Sequence, residues 1–147
     1  MTEQNWKAYE QTASATITTE LNALADGANA IGPEIDNSAL GNVFDDLVIT
    51  LATQGADRAA DAHVKVYVLR AIDGTAYPRG DATFDPSDSN DVYTALFATT
   101  ASAQVQTITG IVLPNSKFKY LTQNETGVKY GATGNTIERR AYNLKTT

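Results

Sequence analysis

Apolar and polar residues alternate in short segments along this chain, and this alternation is its strongest periodic signal. In "FDDLVITLA" the residues Leu47, Ile49 and Leu51 stand at every second position, and so do the three valines in "HVKVYVLR". A period of two, in segments bounded by Gly, Pro, Asn and Asp, is typical of half-buried β-strands. The second face of "HVKVYVLR" is half apolar, so we expect it to be partly covered.

The same pattern predicts about seven strands in total, because it recurs in "TASATITTEL", "DVYTALFA", "AQVQTITGIVLP", "KFKYLTQN" and "TIERRAYN". The segment "ELNALADGANAIGPEIDNS" is ambiguous, since its helical spacing of leucines is interrupted by Gly27, Gly32 and Pro33. We predict the end of a strand there, followed by a loop that contains at most one helical turn.

Strands of this number without intervening helices predict an all-β fold, a two-sheet antiparallel β-sandwich of jelly-roll or immunoglobulin-like type. A closed barrel is the nearest competitor. We assign residues 1–11 to an extended N-terminal arm and residues 12–147 to a single β-sandwich domain. The arm carries Trp6 and Tyr9, large aromatic residues in a polar run, which either dock on a partner or fold back over the sandwich.

The charge balance and the absence of cysteine exclude several classes of function. Lys and Arg total 11 against 17 Asp and Glu, a net charge of −6, which argues against a nucleic-acid partner. Without cysteine there are no disulfides, thiol nucleophiles or thiolate metal ligands. No signal-like segment and no run of about 18 apolar residues occurs, so we expect a protein made in the cytosol with no membrane partner.

The stretch "KFKYLTQNETGVKYGATGNTIERRAYN", residues 117 to 143, has the glycines of a phosphate-binding loop and an Asn-x-Thr triplet. It matches neither common phosphate-binding motif, and the alternating segment after the glycines predicts a strand where a phosphate loop needs a helix. We therefore interpret the glycines as turns of a hairpin. Glycosylation of Asn124 is not expected in a cytosolic protein.

Catalytic and metal-binding chemistry has little support in this sequence. His63 is the sole histidine, it starts a predicted strand beside Asp61, and no serine-nucleophile motif accompanies it. The acidic loop of residues 79–91, with Asp81, Asp85, Asp88 and Asp91, could hold a hard cation, but its spacing is not that of a known calcium loop. We predict a non-enzymatic protein with no catalytic residues, no cofactor and no metal site, and leave that loop open.

Arg139 and Arg140 are neighbours on the last predicted strand, so their side chains point to opposite faces. They do not form a stripe for nucleic acid. We interpret them as a charged edge that discourages unwanted strand pairing or docks an acidic partner surface. Together with Trp6 and Tyr9, they are the predicted partner-binding residues.

Several runs of this chain resemble a group of small virion structural proteins from tailed bacteriophages. The similarity spans Thr12 to Asn143, excludes Met1 to Gln11, and is carried by "ELNALADGANAIGPEIDNS", "VKVYVLRAIDGTAYPRGD", "VLPNSKFKYLTQNETGV" and "GNTIERRAYN". The resemblance implies a capsid decoration or cement protein that binds the major capsid protein or other virion proteins, or else a neck or tail accessory protein. It also implies localisation in the virion and self-association, for example as a trimer on local symmetry axes.

A glycan-binding receptor or adhesion module is the competing hypothesis, because β-sandwiches often present aromatic residues to sugars. The tyrosines of this chain are spread over separate segments and mostly occupy expected core or edge positions, which favours the structural role. The sequence leaves open the location in the virion, the copy number and symmetry, and the host.

Overall fold

A computed structural model of the chain describes residues 4–6, 14–78, 80, 81, 83, 85, 86 and 91–146. These residues form β-strands and one 3₁₀ turn, η1, at Thr19–Leu21. The strands are β1 Gln4–Trp6, β2 Ser14–Ile17, β3 Asn29–Ile31, β4 Ile35–Asp36, β5 Phe44–Leu51, β6 His63–Arg70, β7 Asp91–Leu96, β8 Gln104–Val112, β9 Lys117–Glu125, β10 Thr136–Tyr142 and β11 Leu144–Thr146. No helix among the described residues has the length and apolar character needed to cross a membrane.

The strands form two main antiparallel sheets that enclose one apolar core. The first sheet has four strands in the order β2-β10-β5-β8, and the second has the order β3-β9-β6-β7 with the short β4 also paired to β9. The buried apolar cluster draws side chains from both sheets. The predicted two-sheet antiparallel sandwich is therefore confirmed, and the sheets are not joined into a single closed barrel.

The alternation in the sequence accounts for the core. Leu47, Ile49 and Leu51 of β5 are fully buried, and the valines of β6 face them from the opposite sheet. Between the sheets, the rings of Phe118 and Tyr120 meet edge to face, with centroids 5.3 Å apart. Burial of apolar side chains of this size contributes roughly 1.5–3 kcal/mol each, which makes this inner layer the main source of stability.

The outer face of the second sheet is partly covered, as its half-apolar pattern predicted. Leu69 and Leu121 lie on that face and are fully buried, because the chain between β6 and β7 folds back over them. Gly80 lies close to both Leu121 and Pro86 there. The carboxylate of Asp85 accepts hydrogen bonds from Asn29 Nδ2 (3.2 Å) and Gln123 Nε2 (3.1 Å) and ties this segment to the sheet.

Four short elements were not predicted as strands, namely β1, β3, β4 and β11. β3 and β4 lie in the ambiguous segment, on either side of Gly32 and Pro33, and both pair with β9. β1 lies in the predicted extended arm and pairs with β11, with Trp6 opposite Leu144, in a separate two-stranded sheet. The three described residues of the arm are thus paired with the other end of the chain.

Candidate functional site

Arg139 and Arg140 point to opposite faces of β10, as predicted, and this separates their roles. The prediction of a charged edge strand is wrong, because β10 pairs with β2 on one side and with β5 on the other. Arg140 is exposed on the outer face of the four-stranded sheet, where Asp46 of β5 is its cross-strand neighbour. Arg139 faces the core and is only 7% exposed. Of the two predicted contact residues on this strand, only Arg140 is accessible to a partner.

The guanidinium of Arg139 belongs to a buried polar cluster between the sheets. Its Nε donates to Oδ2 of Asp45 across 2.6 Å, and the hydroxyl of Tyr120 donates to the same oxygen across 2.7 Å. The guanidinium also lies over the ring of Phe118. Burial raises the pKa of Asp45, and this effect outweighs the opposing attraction of Arg139. The prediction that Arg139 contacts a partner is corrected here, because its head group is already engaged inside the fold.

Of the two aromatic residues of the arm, only Trp6 belongs to the described residues. Trp6 ends β1, and its backbone pairs with Leu144 at the other end of the chain. Tyr9 lies outside the described residues. A contact role for either residue stays a prediction.

The glycine-rich stretch after β9 is a crossing between the two sheets, not a hairpin between paired strands. β9 belongs to the five-stranded sheet and β10 to the four-stranded one. Gly127 has φ of +78°, and a Cβ at Gly131 would lie 2.6 Å from the carbonyl oxygen of Thr53. These glycines are therefore explained by backbone conformation and close packing. A strand follows them, as predicted, where a phosphate-binding loop would need a helix.

The Asn-x-Thr triplet is part of this crossing. Asn124 is fully buried, and its Nδ2 donates to the carbonyl oxygens of Leu24 and Val128. Its Oδ1 accepts from the backbone N–H and the hydroxyl of Thr126. The amide that a glycan would modify is thus inside the protein and hydrogen-bonded on both sides.

The residues considered for catalysis or metal binding do not come together in the described part of the structure. His63 Nδ1 lies 2.7 Å from the carbonyl oxygen of Asp61. The carboxylate of Asp81 accepts hydrogen bonds from the backbone N–H and the hydroxyl of Thr83. The carboxylate of Asp85 accepts from the side-chain amides of Asn29 and Gln123. Asp88 lies outside the described residues. Among those described, no group of three or more acidic or histidine side chains is arranged to hold a metal ion.

One side of the sandwich carries exposed apolar side chains along its two open edges. β7 ends the five-stranded sheet and β8 ends the four-stranded one. Val92 and Leu96 of β7 and Val105 and Val112 of β8 are each between 48% and 70% exposed. We call these four side chains and their two strands the edge surface. The sequence carried a signal for it, because "DVYTALFA" is apolar at both parities, but that pattern does not show which parity faces outward.

The backbone of β7 adds hydrogen-bonding groups to the edge surface that no described strand pairs with. Phe97 N donates to Ala62 O (2.9 Å) at the end of the β6–β7 pair. Since antiparallel strands alternate, the N–H and C=O groups of Val92, Thr94 and Leu96 point away from β6. Open strand edges of this kind are sites where another chain can pair.

The β8 side of the edge surface is protected from strand pairing over part of its length. Tyr93 of β7 reaches across and accepts a hydrogen bond from Val112 N (3.3 Å), which links the two sheets. A bulge interrupts β8 opposite Asp45 and Leu47, and Gly110 N there donates to Asp46 Oδ1. A partner would therefore meet side chains on β8 and a free backbone edge on β7.

A groove continues the edge surface at the end of β7. It has a volume of about 460 Å³ and is lined by Ala60, Asp61, Ala62, His63, Thr94, Leu96 and Phe97. The lining is mostly apolar, and Leu96 belongs to both features. The groove has room for a side chain of a docked partner.

The aromatic side chains whose exposure is described do not form a platform for sugars. All nine are buried or half-buried, namely Phe44, Tyr67, Tyr77, Tyr93, Phe97, Phe118, Tyr120, Tyr130 and Tyr142. Phe44 stacks on Tyr142 with centroids 5.5 Å apart, and Lys119 Nζ lies 4.5 Å from the Tyr77 ring. Sugar stacking requires an open aromatic face, and the rings of Phe44, Tyr142 and Tyr77 already have a protein group against one face.

Comparison with protein-family models and with curated proteins finds no match. Among solved structures, similarity is found to the carbohydrate-binding module TmCBM61 in complex with β-1,4-galactotriose. The alignment covers 84% of this chain and 68% of that chain, at 8% sequence identity and a TM-score of 0.32.

Proposed function

We propose that this chain is a non-enzymatic virion structural protein, a capsid decoration protein that binds subunits of the assembled shell through its edge surface. The resemblance to virion structural proteins of tailed bacteriophages is the reason for naming the capsid shell as the partner. The observation that carries the proposal is the set of exposed apolar side chains on β7 and β8, next to an unpaired strand edge.

The chemistry of the edge surface favours a protein partner. Covering exposed Val and Leu side chains with another apolar surface lowers the free energy of the complex. The backbone N–H and C=O groups at the open edge of a strand can pair with the backbone of another chain. A nucleic acid would need concentrated positive charge, whereas the chain carries a net charge of −6. A glycan would need open aromatic faces, and the nine aromatic side chains whose exposure is described are all buried or half-buried.

Decoration of a shell stabilises it by mass action. A protein that binds the assembled lattice and not its free subunits shifts the equilibrium towards assembly. Each contact of this kind buries on the order of 1,600 Å² in total, and repetition over many lattice sites makes modest individual affinities effective. Arg140, the arm with Trp6 and Tyr9, and self-association of the chain are proposed additional contacts.

Co-sedimentation of the purified protein with isolated capsids and isolated tails of its parent phage tests this proposal. We expect saturable binding to capsids and none to tails. Binding to tails alone would assign the protein to the neck or tail. Specific binding on a glycan array without binding to particles would replace the proposal with the adhesion function.

A further inference from the structure

Arg58 is a buried cation at the end of the sandwich where three loops meet. These loops join β5 to β6, β7 to β8, and β9 to β10. The residue is 3% exposed. A charged side chain this deeply buried needs a partner of opposite charge, because removal from water costs several kcal/mol when the charge is uncompensated.

The protein satisfies only one side of the Arg58 guanidinium. Nη1 donates to the carbonyl oxygens of Thr100 and Ser102, and the guanidinium lies 5.8 Å from the centroid of the Phe97 ring. Nε and Nη2 are buried and have no hydrogen-bonding partner. In the described chain, no carboxylate oxygen forms an ion pair with Arg58. The carboxylate of Asp57, its neighbour in sequence, accepts from Ala101 N instead.

Two further buried side chains without hydrogen-bonding partners come from the same end of the sandwich. Gln54, whose backbone N donates to Ala101 O in the loop that Arg58 also binds, has neither side-chain amide atom paired. Tyr130, from the β9–β10 loop, has an unpaired hydroxyl. Both residues are at most 6% exposed. Electrostatic interaction between Tyr130 and Arg58 opposes the lowering of the pKa of Arg58 that burial causes.

The unpaired groups at this end of the sandwich are mainly donors. Arg58 Nε and Nη2, Tyr130 Oη and Gln54 Nε2 all carry hydrogens that an acceptor can bind. A water molecule would accept hydrogen bonds but would leave the guanidinium charge uncompensated. A single negative charge compensates it, and because these groups are buried we take that charge to be a small ion.

We propose that Arg58, Gln54 and Tyr130 form a binding site for a small monovalent anion of the chloride type. The anion enters from a groove of about 370 Å³ lined by Thr53, Gly55, Ala56, Val128, Lys129, Tyr130, Gly131 and Ala132. When bound, it ties the three loops together. Because Phe97 contacts Arg58 and also lines the groove beside Leu96, the anion steadies the end of the edge surface.

Chloride NMR line width and thermal unfolding test the site on the full chain. We expect the protein to broaden the chloride signal, bromide to compete, and chloride to raise the melting temperature more than gluconate at equal ionic strength. Arg58→Met should abolish the broadening, and Tyr130→Phe should weaken chloride binding about tenfold, the loss expected for one hydrogen bond to a charged group. Arg70→Met, at an exposed arginine, is the matched control.

If Arg58→Met does not fold, Tyr130→Phe and a crystal grown in sodium bromide decide the question. An anomalous bromide peak beside Arg58 Nε and Nη2 supports the site. The proposal is overturned if chloride and gluconate act equally on the wild-type protein, if Tyr130→Phe binds chloride as tightly as wild type, or if the crystal shows only water there.

Discussion

Arg139 of β10 and Asp45 of β5 form an ion pair inside the sandwich, with Nε 2.6 Å from Oδ2. Asp45 is fully buried, and one of its oxygens, Oδ1, has no hydrogen-bonding partner. Such a pair is costly to bury and still more costly to break, because removal of one member leaves the other as an unpaired charge. The pair therefore fixes how β5 and β10 present their faces to the core.

Replacement of Arg139 by methionine should destabilise the protein by about 3–5 kcal/mol, the range for breaking a buried pair. Urea unfolding followed by circular dichroism measures the loss. Arg140→Met, on the exposed face of the same strand, should change the free energy of unfolding by no more than about 0.5 kcal/mol. Asp45→Asn in the Arg139→Met background should recover part of the loss. Equal effects of the two arginine variants would show that the pair contributes little.

Asn124 should behave as a structural residue, since its side chain makes four hydrogen bonds within the β9–β10 crossing. Asn124→Ala leaves buried groups unpaired and should cost about 2–4 kcal/mol, from roughly 1 kcal/mol for each bond lost. Thermal unfolding of the variant, beside Asn115→Ala at an exposed position, measures the difference. A melting temperature equal to that of the control would contradict the assigned role.

Tyr77 should titrate at unusually high pH. Burial and its hydrogen bond to Glu34 (2.6 Å) raise the pKa of Tyr77 from 10.0 to about 12. Because the folded pKa is the higher one, this group's contribution to stability is complete below pH 10 and is lost as the pH rises through about 12. The tyrosinate absorbance of wild type minus that of Tyr77→Phe should have its midpoint near the raised value. A midpoint at the ordinary value would show that the β6–β7 segment is not held against Glu34.

Removal of residues 1–10 should weaken binding to capsids without unfolding the sandwich. The deletion takes away β1, the partner of β11, together with Trp6 and Tyr9. The described core cluster, from Ile17 to Ala141, lies wholly within the part that the deletion leaves in place, so the melting temperature should change little. Capsid co-sedimentation at several protein concentrations gives the affinity. An unchanged affinity would remove the arm from the proposed contacts.

The local pattern of the sequence predicted the long strands well, because each of them has one face buried in the core. β6 matches the segment "HVKVYVLR", and Leu47, Ile49 and Leu51 of β5 are buried as their parity required. That same parity places Asp45 inside. Its partner could not be identified from the sequence, since Arg139 lies 94 residues further along the chain.

The elements missed by sequence reasoning depend on contacts distant in sequence. β3 and β4 are three and two residues long and exist as strands because β9 pairs with them. β1 and β11 pair the two ends of the chain. The edge surface was missed for a related reason. Alternation shows that Val92 and Leu96 share a face, but only the sheet order shows that β7 ends its sheet among the described strands.

Binding of edge-surface variants to capsids tests the central claim most directly. Leu96→Lys and Val105→Lys put charges on both open edges at exposed positions, so the fold should be retained. Ile72→Lys, at an apolar residue that is 81% exposed and lies outside the edge surface, is the matched control. If the edge surface binds the shell, each edge variant should bind capsids at least about tenfold more weakly, equivalent to about 1.4 kcal/mol. The Ile72→Lys control should bind as wild type does. Wild-type affinity in the Leu96→Lys/Val105→Lys double variant would contradict the proposed function.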